Sequence, residues 1–289
     1  MKHRFFVTIL IVALLSTLLL VGSGVHAQSE DPVELAFLVD GSSSIAGDDF
    51  TIMKNGIADA LENDQCVFHD GRLELTVIQF ASTARVEVDK AQINSSGDAV
   101  AIANAIRNMG QLGGSTNYAD AFDLATNTIR FQRQRQLINI TTDGAPNTPD
   151  SFAHIAAVQR AIAAGFDEID VEAIGFAFTR SEVVNAADTS GRDAISILRD
   201  EIAYPQPGIL VTTPDQWPPA GPGWVRTVAS IQEFAATVCQ KFRVVLVGGE
   251  GEIASPTPAP VQVPEPITVV LFGTGLAGIA GYARSRRKR

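Results

Sequence analysis

The stretch LAFLVDGSSSIAGDDF, Leu35 to Phe50, decides the fold. Five apolar residues run into Asp40, Gly41 and three consecutive serines, Ser42, Ser43 and Ser44, before an amphipathic segment opens near Asp48. An apolar run of this kind, closed by turn residues, reads as a buried strand, and Asp48 is placed to cap the helix expected at 48–62. A buried strand that ends on a carboxylate has to open, at that end, onto something the carboxylate can serve.

Outward from this βα unit, apolar runs keep alternating with amphipathic ones. Strands are expected at 34–40, 72–80, 85–89, 136–142 and 169–178, with a last one at either GILVTT (208–213) or WVRTV (224–228). The second is favoured because it feeds directly into a helix. Helices are expected at 48–62, 97–109, 117–131, 149–165, 193–203 and 231–242. Thr148 with Pro149 opens one of them, and Ser230 with Glu233 forms a capping box for the last. Most strands are near-continuous apolar runs instead of alternating ones, the pattern of a parallel sheet covered on both faces. RVEVD (85–89) alternates instead and follows its neighbour after a short turn, so it reads as an antiparallel edge strand. The expected fold class is therefore α/β: a doubly wound, mostly parallel six-stranded sheet with one antiparallel edge strand and helices on both faces.

Both ends carry targeting patterns. Residues 1–27 have basic Lys2 and Arg4, an apolar run and small residues before a cleavage point, which is the make-up of a secretory signal peptide. At the other end stands VPEPITVVLFGTGLAGIAGYARSRRKR: a Pro-Glu-Pro triplet (Pro264, Glu265, Pro266), an apolar segment at 267–283 and five terminal cations. The segment is a marginal transmembrane helix whose basic end stays on the cytoplasmic side. Residues 249–263 form a Pro-rich linker, and 204–224, with six prolines and two tryptophans, reads mostly as loop. Between the two signals, residues 28–264 hold 15 Lys and Arg against 31 Asp and Glu, a net charge of −16. Such a surface repels nucleic acid. Cys66 and Cys239 leave two readings open, one disulfide or two separate buried thiols.

In a doubly wound sheet the ligand site lies outside the carboxyl ends of the strands, where strand order reverses. Three segments arrive there with oxygen side chains: DGSSS with Asp40, Ser42 and Ser44, GGSTN with Thr116, and TTDG with Asp143. Two carboxylates and three hydroxyls make the all-oxygen set that Mg²⁺ or Mn²⁺ prefers.

Asp40, Ser42 and Ser44 match the D-x-S-x-S motif of von Willebrand factor A domains, and Thr116 and Asp143 fall where that family's remaining metal ligands belong. The chain resembles this family over 33–248, closest to a bacterial secreted branch of unassigned function, and 204–224 departs from a compact domain of the kind. The C-terminus, 264–289, resembles the PEP-CTERM signal of Gram-negative bacteria. The first resemblance implies a metal-ion-dependent adhesion site at which the cation captures a partner protein's acidic side chain. It also places Cys66 and Cys239 at the pole opposite the metal, within disulfide reach. The second implies handling by an exosortase and delivery to the cell surface or exopolysaccharide matrix, with exopolysaccharide a further candidate partner. A structural matrix protein whose metal only stabilises the loops is the main alternative. A Mg²⁺-dependent hydrolase is remote, since Ser42 stands where a second aspartate would have to act as acid and base. No enzyme is expected: no G-x-S-x-G elbow is present, and His69 and His154 read as surface residues. Trp217 and Trp224 read as packing residues ahead of a carbohydrate-contacting surface.

Overall fold

The computed structural model of this protein describes residues 32–147, 152–175, 193–212 and 223–247. The elements are β1 (Val33–Asp40), α1 (Gly47–Glu62), β2 (Leu73–Phe80), β3 (Ala84–Gln92), α2 (Ser96–Arg107), α3 (Tyr118–Thr128), β4 (Arg135–Thr142), α4 (Ala153–Ala164), β5 (Glu168–Ile174), α5 (Ala194–Ile197), β6 (Ile209–Val211), β7 (Trp224–Val228) and α6 (Ile231–Val247). They build one sheet in the order β3-β2-β1-β4-β5-β7-β6. Every pairing is parallel except β2 with β3, the alternating edge strand. The chain leaves β1 toward β2 on one side and later returns to place β4 on the other. The switch point is therefore between β1 and β4, and Asp40 sits at the open end of the first of them.

All eight side chains of β1 and all eight of β2 are buried, because helices cover both faces. One core lies under α1, α2 and α6 and includes Phe37, Met53, Ile57, Phe234 and Phe242. The other lies under α3, α4 and α5 and includes Leu38, Ile78, Phe122 and Ile140. Phe37 meets Phe242 with ring centroids 5.5 Å apart.

The sheet has seven strands, not the six expected from sequence. GILVTT and WVRTV were alternatives for one place, yet Ile209–Val211 and Trp224–Val228 lie side by side, the shorter of them at the edge. Three residues with two half-exposed side chains leave little periodicity to read. Asp48 does not cap α1: Ala46 holds the N-cap position without a side-chain bond, and Asp48 falls in the first turn, where its charge meets the helix dipole. The proposed start at Thr148 and Pro149 and the end of the strand at 176–178 lie outside the described residues. The helix expected to reach residue 131 stops at Thr128, because Ile129 is extended and Phe131 has a positive φ of 56°. The segment 193–203 is only one α-turn, capped by Asp193, running into a π-helical turn at Leu198–Ile202.

Ser230 accepts from the Glu233 amide at 3.2 Å, while the Glu233 carboxylate accepts from Ala229 N at 2.9 Å, a capping box displaced by one residue on its return arm. The helix it opens runs on to Val247, so Cys239 sits in its middle and not at its end. There it is bonded to Cys66, in the turn after α1, with a Cα–Cα distance of 4.8 Å. One turn before the bridge, Gly56 of α1 lies against α6 so closely that an added Cβ would stand 2.8 Å from the Ala235 Cβ and 2.9 Å from its Cα. Gly56→Val should therefore force the two helices apart and cost about 1–3 kcal/mol, read as a lower urea midpoint at unchanged slope.

The surface reading holds for the partly exposed His69 and fails for His154. His154 is buried with Nε2 2.8 Å from Glu201, and His69 pins its loop through the Leu61 carbonyl and Ser96 Oγ. Trp224 is buried in the α6-side core, which leaves it no sugar-contacting face; Trp217 lies outside the described residues.

Candidate metal centre

Asp40 is fully buried at the end of β1. One carboxylate oxygen accepts from Ser42 N at 2.8 Å, and the other accepts from Thr142 Oγ1 at 2.7 Å. Thr142 closes β4 and is itself held: its hydroxyl lies 2.9 Å from the Tyr118 hydroxyl, which also bonds the Gly144 carbonyl. Adjacent strands and the first turn of α3 thus fix the orientation of a single side chain.

The loop after Asp40 is locked to the loop before α3. Gly113 N donates to the Gly41 carbonyl at 2.8 Å, Ser43 N to the Gly114 carbonyl at 2.9 Å, and Gly114 N to Ser43 Oγ at 2.7 Å. Gln111 donates its amide to the carbonyls of Ser42 and Ile45 at 3.0 and 2.8 Å. A Cβ on Gly41 would stand 2.3 Å from Gln79 Oε1, the atom that holds Leu112 N, so a larger residue there displaces that brace. Gly114 has a φ of +98° and packs against Ser82.

From this frame three side chains form a chain of hydroxyls and carboxylates. Ser42 Oγ lies 2.9 Å from Ser44 Oγ, and Ser44 Oγ donates to Asp143 Oδ1 at 2.7 Å. Thr116 is buried and arrives from the third loop, its backbone tied both ways to Asn147 at 3.0 Å. Its hydroxyl would be 4.0 Å from a Cβ on Gly144, which places it beside the same corner. All five expected residues therefore share one sheet end. Ser44 is exposed while Asp40, Ser42 and Thr116 are buried, so the cluster faces outward over a rigid base.

Electrostatically the cluster is uncompensated. Burial pushes the Asp40 carboxyl up to about 6, and the neighbouring Asp143 charge adds to the shift. Asp143 is raised as well, chiefly by its own burial. No Lys or Arg contributes to either shift. Two desolvated carboxylates bridged by hydroxyls are the donor set of a hard divalent cation. Among the described residues there is no cluster of three or more His, Cys, Asp or Glu suited to a metal; this site draws on neutral oxygens for the remainder.

Asp40's folded-state pKa lies above the unfolded value of 3.8, so its stabilising contribution is complete below 3.8 and is lost as pH rises through about 6. In chelator, the domain should gain stability between about pH 7 and about pH 5, and Asp40→Asn should flatten that part of the profile. Thermal unfolding across the range checks both.

The residues that sequence reading missed are the supports: Thr142, Tyr118, Gln111, Gln79 and Asn147. Thr142 had a signal, standing directly before Asp143 on a buried strand. Gln79 and Gln111 had none, because their role depends on two loops meeting.

The von Willebrand factor type A domain family model matches 34–195, and the PEP-CTERM protein-sorting motif matches 262–288. No curated protein matches the chain. Proximal thread matrix protein 1 of the mussel byssus is similar in structure at a TM-score of 0.53 and 15% identity, over 74% of this chain and 48% of its own. The SpaC pilus adhesin of Lactobacillus rhamnosus GG is similar at a TM-score of 0.52 and 13% identity, over 76% of this chain and 31% of its own. This chain thus spans less than half the length of either, and the likeness is one of fold. The family match covers more than half of the chain and takes in Asp40, Ser42, Ser44, Thr116 and Asp143, and the chain belongs to the von Willebrand factor type A domain family.

Proposed function

We propose that this protein is an exported, metal-dependent adhesion module that recognises acidic groups on a partner protein. The observation that carries the reading is the meeting, at the switch point of the sheet, of Asp40, held by Ser42 N and Thr142 Oγ1, with the hydrogen-bonded chain Ser42–Ser44–Asp143. Asp40, Ser42, Ser44, Thr116 and Asp143 would hold Mg²⁺ or Mn²⁺, directly or through water. When bound, the cation supplies an electron-poor coordination position that a partner's Asp or Glu carboxylate completes, because only two protein charges offset it. The chain's own part is to keep Asp40 fixed through Thr142 and Ser42 N, and to leave Ser44 and the rim of the loop open to the partner.

The sorting motif at 262–288 supports an exported protein sorted at the cell envelope. Handling by an exosortase, through Pro264, Glu265 and Pro266, and residence at the cell surface or in exopolysaccharide are the finer parts of the proposal. So are the domain limits: signal peptide 1–27, domain 33–248, linker 249–263 and sorting tail 264–289 with its apolar helix at 267–283. The signal, linker and tail fall outside the described residues, as do parts of the domain; among the described residues no helix is long and apolar enough to cross a membrane.

A second reading, a structural matrix protein whose metal stabilises the loops, is favoured by the name of the mussel thread protein that shares the fold. Calorimetric titration of Mg²⁺ and Mn²⁺ into the purified protein tests the site. One saturable site is expected, and only diffuse binding to the acidic surface would defeat the reading. Metal-dependent thermal stabilisation without metal-dependent capture of surface proteins would favour the matrix role.

A further inference from the structure

The layer beneath α6 is polar. On the sheet face that α6 covers, β4 presents Asn139 and Thr141, β5 presents Asp170 and Glu172, and β7 presents Arg226, all of them buried. Lys241 descends from α6 into this layer and is 1% exposed. Its Nζ lies 2.5 Å from Glu172 Oε2 and donates to Thr141 Oγ1 at 2.9 Å. The Phe37 and Phe234 ring centroids stand 4.4 and 5.1 Å away and keep water out. Arg226 donates to Glu172 Oε1 at 3.1 Å.

In this layer Asn139 is the side chain with both of its polar atoms unpaired. It is fully buried, yet neither Oδ1 nor Nδ2 has a hydrogen-bond partner. Leaving a buried amide unpaired is destabilising, so its presence in the middle of a central strand calls for a reason. In register it is flanked by Phe37 on β1, the ring beneath the ammonium, and by Asp170 on β5. Thr141, which holds the ammonium, is two residues further along the same face, about 7 Å on. A long lysine side chain reaches across that gap by changing rotamer.

We propose that Lys241 and Asn139 are joined by an isopeptide bond that the protein forms by itself, with Glu172 as the proton carrier. Nζ loses a proton to Glu172 and attacks Asn139 Cγ; the Nζ–Cγ bond forms and the Cγ–Nδ2 bond breaks. Glu172 relays both protons given up by Nζ to Nδ2, which departs as ammonium, and Glu172 ends as carboxylate. Atoms and charge balance without an oxidant or cofactor. Burial drives the Lys241 pKa down, against the opposing pull of Glu172, which favours the neutral amine the attack needs. Burial and the neighbouring Glu168 push the Asp170 carboxyl well up, which favours its acid form; in register with Asn139 and with Oδ2 unpaired, that acid would donate to Asn139 Oδ1 as negative charge develops there. The bond would tie the last helix to a central strand. Since the sorting motif follows that helix in the chain, a pull on the tail would pass from α6 into the sheet.

Peptide mapping of the exported full-length protein, reduced, alkylated and cut with trypsin, tests this. The expected product is residues 136–160 joined to 227–243 at the summed mass less one ammonia, about 17 Da, with no cleavage after Lys241. Release of 227–241 with a free lysine, beside 136–160 at its unmodified mass, overturns the proposal. A loss of one water instead, about 18 Da, on a peptide containing Asp170 overturns the assignment to Asn139. Glu172→Gln should keep the Cys66–Cys239 bridge as a readout of folding and lose the cross-link. A fully cross-linked Glu172→Gln protein overturns the role of Glu172, and the wild-type map stands by itself if that variant does not fold.

Discussion

Asp40→Ala should abolish saturable Mg²⁺ binding while leaving the domain folded. Asp40 supplies one of only two charges in the site, and both of its oxygens are already oriented, by Ser42 N and Thr142 Oγ1. Loss of a group that merely orients a ligand costs about 10–100-fold in metal affinity, so loss of a charged ligand should cost about 100-fold or more. The fold should tolerate the change, because a carboxylate buried beside Asp143 is a liability to the metal-free protein. The orphaned Thr142 hydroxyl keeps the Gly144 carbonyl within 2.9 Å as an alternative acceptor. Asp143→Ala should match it in affinity and additionally free the Ser44 hydroxyl. Titration calorimetry with circular dichroism as the control for folding reads both effects. Full metal affinity in either variant would remove that residue from the site.

Opening the Cys66–Cys239 bridge should produce the largest loss of stability. The bond closes a loop with a sequence separation of 173 residues, nearly the whole domain. On chain-entropy grounds such a closure contributes about 5 kcal/mol as an upper figure, with about 2–5 kcal/mol typical when native bridges are removed. For a domain of this size that corresponds to a fall in Tm of about 5–20 °C. Cys66→Ser with Cys239→Ser in one protein, followed by calorimetry, measures it. The loss should add to that from Gly56→Val by less than the sum, since both act on the same contact between α1 and α6. An unchanged Tm would mean that packing around Phe234 and Val238, with the proposed Lys241–Asn139 bond, holds α6 without the bridge.

Strong local signals were legible along the chain. The near-continuous apolar run of β1 read as a strand covered on both faces, and the alternation in β3 marked it as the edge. Asp40, Ser42 and Ser44 announced a site because a carboxylate and hydroxyls followed a buried strand without interruption. Thr116 and Asp143 followed from the topology, since strand ends at a switch point must meet. Weak periods were misread: β6 is too short to show one, and α5 changes from α to π geometry within a few residues.

By itself, then, the sequence determined the parallel sheet, the oxygen-rich corner and the C-terminal sorting motif, each carried by residues adjacent in the chain. Tertiary structure alone decided how the corner is braced and what lies under the last helix. Gln79 and Gln111 brace loops that are distant in sequence, and Lys241 finds Glu172 and Thr141 only because α6 crosses β4 and β5. A lone buried lysine or asparagine has no periodicity and no motif. Its meaning lies in which opposite charge or unpaired amide the fold brings to it.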